Sequence, residues 1–313
     1  MAGLKRMRIY YRAPSHVPLW KVMEEGGFME KHGLEMEMGS LEGQRRRAAE
    51  GLKAGDLDIV SGNHHNLYAR KALQGDPYVH IGQSNNSWRE NFLVCGNGVN
   101  GLADLKGKRV AMDDYDGHTG LNVWLYLRKQ GLEEGRDVEL VTDPVKGAER
   151  AKNVMEGKYD ATFIRAVERL RALKFGAKIL EVPPMAMIEG VTLTTTTTYL
   201  RHHEEEARSL IMAMIEGTHF FKTNKEDTLK IVRRHCSDLL KMRDDEEWDC
   251  FYENQVASLE NAPYPSLEAI QNVFALAVKR APEIQEFNPL RLWDLHYVKE
   301  IDDSGYIRKL YAR

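Results

Sequence analysis

The sequence predicts an α/β protein made of mostly parallel sheets with helices on both faces. Two observations predict it. Short β-type runs alternate with helical runs through two successive sets, and the chain from Arg201 onward turns helical. A β-α-β-α-β rhythm folds as a doubly wound sheet, and its ligands lie off the carboxyl ends of the strands. With 313 residues there is room for two lobes.

In chain order, Arg8–Arg12 is a β-type run, followed by a helix to Gly26 with Pro18 in its first turn, where a missing N–H costs least. Residues Gly33–Met38 alternate Leu34, Met36 and Met38 with Glu35 and Glu37, the period of a strand. A helix over Gln44–Ala54 stops at Gly55. The buried strand Leu57–Val60 then leads through Ser61-Gly62-Asn63-His64-His65 into a helix to Leu73. Strands Tyr78–Gln83 and Asn91–Cys95 close the first set.

The second set has strands Lys108–Met112, Val138–Thr142, Ala161–Ile164 and Lys178–Val182 around helices Leu121–Gln130, Gly147–Glu156 and Ala166–Phe175. The β-branched run Gly190–Thr198, with five consecutive threonines, reads as a strand crossing back between lobes. Helices follow at Glu204–Thr223, Lys225–His235, Asp245–Ser258 and Ser266–Lys279, the last with Ser266 as N-cap. A final helix meets Gly305.

The whole is organised around Asp104–Leu132. Strand Lys108–Met112 runs into a loop with Gly117-His118-Thr119-Gly120 and then a helix. Free N–H groups and the positive end of a helix dipole at a strand's carboxyl end suit a carboxylate, sulfonate or phosphate.

Composition narrows the partners. Charged residues make up 29% and the net charge is −3, so nothing favours nucleic acid or an acidic membrane surface. No stretch approaches the roughly 20 apolar residues of a spanning helix, and the N-terminus lacks the apolar core of a signal peptide. Three widely spaced cysteines indicate neither a disulfide framework nor a zinc motif, which suits a cytoplasmic protein.

Four stretches carry a family resemblance: SHVPLW with GGFMEKHGLEMEM (to residue 38), LKAGDLDIVSG (52–62), LADLKGKRVAM (102–112) and WDLHYVKEIDDSGYIRKLY (293–311). On these the chain resembles the type II periplasmic-binding-protein superfamily, in its branch of nitrate/sulfonate/taurine-binding and thiamine-pyrimidine-synthase-like proteins. The resemblance implies a two-lobed fold, with residues 1–97 plus 191–313 in one lobe and 98–190 in the other. It also implies a ligand in the cleft between them and hinge closure on binding.

Strand-end residues are then the site candidates. His16, His64 and His118 fall at equivalent strand-to-helix junctions and suit acid/base work near neutral pH. Asn63, His65, Asn85, Tyr115, Gly117 and Thr119 line the expected substrate site, and Arg165 would bind a carboxylate with its fork. Each has a blander reading: loop Asn residues make turns, aromatic residues pack, and Arg165 pairs with Glu168 or another acid. There is no i, i+4 His pair and no Cys nearby, so no metal or other cofactor is expected, though three imidazoles could hold a metal.

Two functions fit. The loop-and-helix pattern DLKGKRVAMDDY…T…W is similar to that of dihydroxyphthalate decarboxylase-like proteins, whereas the Cys-rich iron motif of the pyrimidine synthases is absent. This implies a cytoplasmic carbon–carbon lyase, a decarboxylase of a small aromatic carboxylic acid, with histidines as proton donors. The alternative is the solute-binding protein of an ABC importer for a small organic anion. Both take a small anionic ligand, and neither expects nucleic acid or membrane insertion. A homo-oligomer is compatible with either.

Overall fold

The computed structural model describes residues 3–62, 65–115 and 117–312, with Arg45 by its backbone alone. The strands in chain order are β1 (Lys5–Tyr11), β2 (Leu34–Ser40), β3 (Ile59–Ser61), β4 (Tyr78–Ser87), β5 (Phe92–Cys95), β6 (Lys108–Met112), β7 (Val138–Thr142), β8 (Ala161–Ile164), β9 (Lys178–Glu181) and β10 (Ala186–Thr196). Among the described residues they form two five-stranded sheets, β2-β1-β3-β10-β4 and β7-β6-β8-β5-β9. Unit 1 comprises Met1–Asn86, Met187–Asp244 and Gln255–Arg313; unit 2 comprises Ser87–Ala186 and Asp245–Asn254. No described helix is long and apolar enough to cross a membrane.

These divisions differ from the expected 97/98 and 190/191. Strand β5 pairs antiparallel with β8 and β9, so it belongs to the second sheet. Its sequence FLVC is a buried apolar run that suits either sheet, and nothing local marks which one. The first ten residues of the helix Asp245–Ser258 also join unit 2, far from it in sequence.

Each sheet is parallel except for one strand. Strands β1 and β2 pair in parallel, as do β1 and β3, while β10 opposes β3. Strand β6 is parallel to β7 and β8, while β5 opposes β8. The reversed strand β5 is the first strand of unit 2, and the reversed strand β10 is the one on which the chain returns to unit 1.

The two α/β sets share a staple that explains a repeated pattern. In unit 1 a left-handed Gly55 (φ +81°) precedes Asp58, whose Oδ2 accepts the Arg8 N–H at 2.7 Å. In unit 2 a left-handed Gly157 (φ +77°) precedes Asp160, whose Oδ2 accepts the Arg109 N–H at 2.8 Å. Both aspartates return a backbone N–H to the same arginine's carbonyl. Glycine ends each helix without a Cβ penalty, and the carboxylate then serves a strand N–H that the ladder leaves open.

The threonine run is a buried strand of unit 1. Thr194, Thr195 and Thr196 are all at most 3% exposed. Their β-branched shape suits a central strand, and their hydroxyls avoid the cost of burial by bonding backbone. Thr194 Oγ1 donates to Gly62 O at 2.7 Å and Thr195 Oγ1 to Asp58 O at 2.7 Å. Thr196 Oγ1 accepts from Tyr199 N and so caps the helix Thr197–Leu200.

The C-terminal motif docks on β4. Asp294 N donates to His80 O at 2.9 Å, the Trp293 and His80 rings lie 4.7 Å apart, and Trp293 Nε1 donates to Tyr68 Oη at 3.1 Å. Gly305 (φ +74°) starts a further helix, Tyr306–Tyr311, whose Tyr306 hydroxyl bonds buried Glu216 along with Lys31 and His32.

Burial, with Lys71 nearby, pushes the imidazole of His80 down to about 3, and its Nδ1 meets Thr194 Oγ1 at 2.9 Å. Unfolded, it takes up a proton near the ordinary 6.5; folded, it does so only near 3. Between these values the unfolded state binds more protons, so stability falls as pH falls, by at most about 1.4 kcal/mol per pH unit. Denaturant melts from about pH 6.5 to 4.5 are expected to show this slope in the native chain and its loss in His80→Asn. Equal slopes would contradict a buried neutral His80.

In unit 2, Trp88, Tyr126 and Phe163 form a ring cluster with centroids 4.8–5.5 Å apart. Phe92, Val94 and Ile164 belong to a further apolar cluster, against which Cys250 packs. All three cysteines are free, and burial raises each thiol above its ordinary value.

Candidate functional site

The carboxyl ends of β1, β2 and β3 share one edge of unit 1, because Tyr11 is in register with both Ser40 and Ser61. After β1 comes a short turn, Pro14–His16, and then the helix Val17–Glu25. His16 is 5% exposed, and its Nδ1 lies 3.1 Å from both the carbonyl and the hydroxyl of Ser61. Arg12 N donates to the same carbonyl at 3.2 Å. Gly62 (φ +97°) lies directly beneath the ring: a Cβ there would stand 2.8 Å from His16 Cε1.

The polar edge continues across the sheet. Gly62 N donates to Thr192 O at 3.0 Å, and Thr192 Oγ1 donates to Gln83 Oε1 at 2.6 Å. Gln83 Nε2 donates to the carbonyls of Asn85 (2.5 Å) and Glu189 (2.7 Å). Ser61, Gln83, Asn85 and Thr192 are each 0% exposed. His65, before the helix Asn66–Gln74, is buried. Asn63 and His64 lie outside the described residues.

Two polar strand-end residues turn out to be backbone staples. Ser84 Oγ accepts from Val191 N at 2.8 Å. Asn86 donates to Tyr264 O and accepts from Ser266 N, which fixes the chain entering the helix Leu267–Arg280.

In unit 2 the helix after β6 begins at His118, three residues earlier than its periodicity predicts, with Gly117 as N-cap. Gly117 N donates to Asp114 O at 2.9 Å. A Cβ on Gly117 would meet Asp114 Oδ2 at 2.9 Å, and one on Gly120 would meet Asp114 O at 2.2 Å. Both glycines are therefore needed for the turn to approach the helix closely. The turn brings a carboxylate of its own to the positive end of the helix, where the anion was expected. Tyr115 donates its hydroxyl to Glu134 at 2.6 Å. His118 and Thr119 are half-buried. Arg165 caps the helix Ala166–Leu173, and its Nε donates to buried Glu90 at 3.1 Å. Glu168, the partner weighed from sequence, instead accepts from Ala148 N.

His16 belongs to unit 1 and His118 to unit 2. Among the described residues no group of three or more His, Cys, Asp or Glu side chains is placed to hold a metal. Gln83, Thr192 and Gly62 were not among the residues singled out. In the sequence, Gln83 is only the last residue of a strand.

A family model described as NMT1/THI5 like matches residues 13–228, more than half of the chain. A search of curated proteins finds no match. Among solved structures, the chain is similar to a putative sulfonate ABC transporter's periplasmic sulfonate-binding protein, SsuA, from Methylobacillus flagellatus: TM-score 0.70, 16% identity, covering 98% of this chain and 96% of that one. It is also similar to the periplasmic aliphatic sulphonate binding protein SsuA from Escherichia coli, with TM-score 0.66, 15% identity and coverage of 92% and 91%. The periplasmic nitrate-binding protein NrtA from Synechocystis PCC 6803 gives TM-score 0.62, 13% identity and coverage of 96% and 89%. The two-lobed binding-protein fold read from the sequence is thus the fold of this chain.

These findings correct the lyase expectation. The three neighbours are described as binding proteins, and none of the three is described as a decarboxylase. The cytoplasmic expectation finds no support in these comparisons, where all three neighbours are described as periplasmic.

Proposed function

We propose that this chain, which belongs to the NMT1/THI5-like family, is a solute-binding protein that captures a small organic anion for an ABC importer. The observation that carries this reading is the strand-end edge of unit 1. Polar side chains there are buried and held by backbone bonds, as in a preformed site for a polar ligand. The helices Val17–Glu25 and Asn66–Gln74 start just beyond β1 and β3, so their N–H groups and dipoles favour negative charge at that edge. Arg12 and His16 flank Gly62, with Arg12 Cβ 3.4 Å and His16 Cε1 2.8 Å from where a Cβ on Gly62 would stand. The ligand class is a sulfonate, nitrate or aromatic carboxylate, and binding leaves it chemically unchanged.

The test is a thermal-shift panel of alkanesulfonates, nitrate and aromatic acids. A true ligand at a hundredfold excess over Kd stabilises by about 2.7 kcal/mol. A panel in which no anion raises the melting temperature, or in which the stabilising one is consumed, would sink the reading.

A further inference from the structure

We propose that Gln83 is a positioning residue for anion binding: its buried amide turns the Asn85 and Glu189 carbonyls into unit 1, so that the strand-end edge meets an anion with donors rather than acceptors. This rests on the anion-binding reading above and adds a residue-level cause for its charge preference.

Gln83 is 0% exposed and every polar group of its side chain is used. Nε2 gives one hydrogen to Asn85 O and the other to Glu189 O, while Oε1 accepts from Thr192 Oγ1. The orientation of the amide is forced. Carbonyl oxygens cannot donate, so a flipped amide would set three acceptors against one another. Thr192 contributes its own carbonyl to the same pattern by accepting from Gly62 N. Three carbonyls, one of β4 and two of β10, are thus bonded within the sheet. A carbonyl dipole with its oxygen toward an anion repels it, and in a poorly hydrated site the repulsion is weakly screened. Sequestering those oxygens leaves the helix N-termini, Arg12 and His16 to set the sign of the edge.

The test uses the full chain and the tightest of ethanesulfonate, nitrate and benzoate, measured by isothermal titration. Gln83→Glu keeps the shape but replaces both donors with acceptors when ionised. At about pH 8 its Kd is expected to rise at least tenfold over the native chain. Toward about pH 5 a buried carboxyl takes up its proton and regains a donor, so most of the affinity returns, while the native Kd stays nearly flat. A merely structural role would lower the melting temperature and leave the Kd of the folded protein, and its pH profile, unchanged.

Should Gln83→Glu fail to fold, Thr192→Val removes only the hydroxyl that holds Oε1, and a several-fold weaker Kd is expected at near-native melting temperature. A Kd within twofold of native in a folded variant, with no added pH dependence, overturns the role of Gln83 and leaves the anion reading standing. A native chain that binds none of the three anions overturns both.

Discussion

Glu247→Ala is expected to destabilise the protein by about 3–5 kcal/mol, the cost of leaving a buried charge without its partner. Glu247 is 0% exposed and Arg171 8% exposed. Their contact is bidentate, with Nε donating to Oε1 at 2.9 Å and Nη2 to Oε2 at 2.6 Å. An arginine cannot escape by losing its proton, so in Glu247→Ala it stays charged, its bidentate partner gone and Glu168 at 3.5 Å. The double variant Arg171→Met/Glu247→Leu removes both charges, and well-packed apolar replacements of such pairs are often neutral or stabilising. Denaturant unfolding should therefore rank the double variant well above the single one. A loss below about 1 kcal/mol in Glu247→Ala, the range of exposed pairs, would mean that the pair is not desolvated. The consequence for the fold is specific: this pair holds the start of the helix Asp245–Ser258 in unit 2.

Gly62→Ala is expected to cost affinity on the order of 100-fold, or about 2.7 kcal/mol, and to lower the melting temperature as well. Two effects add. A non-glycine residue at φ +97° costs of order 1–3 kcal/mol. The new Cβ also needs the space of His16 Cε1, 2.8 Å away. A surface ring would swing aside, but this one is buried and bonded to Ser61 through Nδ1. Moving it breaks that bond and disturbs the edge where the ligand is proposed to sit. Gly75→Ala is the control. Its φ is +68° and nothing lies within 4 Å of a Cβ there, so it carries the backbone penalty alone. Affinity retained in Gly75→Ala and lost in Gly62→Ala locates the effect at the edge. Equal affinity in both would remove Gly62 and His16 from the ligand site.

The strands and helices were legible because their apolar periods are local. Leu34, Met36 and Met38 announce a strand from one short window. What was not legible depends on distant pairings. Arg165 reads as an open fork, and only the fold places Glu90, 75 residues upstream, against its Nε. Ser84 and Asn86 flank the candidate Asn85, and their polarity is spent on Val191 and on residues 264–266. Gln83 has no motif around it, and its role exists only once β10 lies beside β4. Histidines at strand ends suggested acid/base chemistry, because the sequence gives position but not burial. His16 is at a strand end, and it is 5% exposed with its ring bonded to Ser61.

The most direct measurement is isothermal titration of the native chain with the best anion of the panel, followed by recovery of the ligand for mass analysis. A solute-binding protein takes up one anion per chain, loses affinity in Gly62→Ala, and returns the anion unchanged. Absence of binding by any anion, or a recovered ligand of altered mass, would contradict the account.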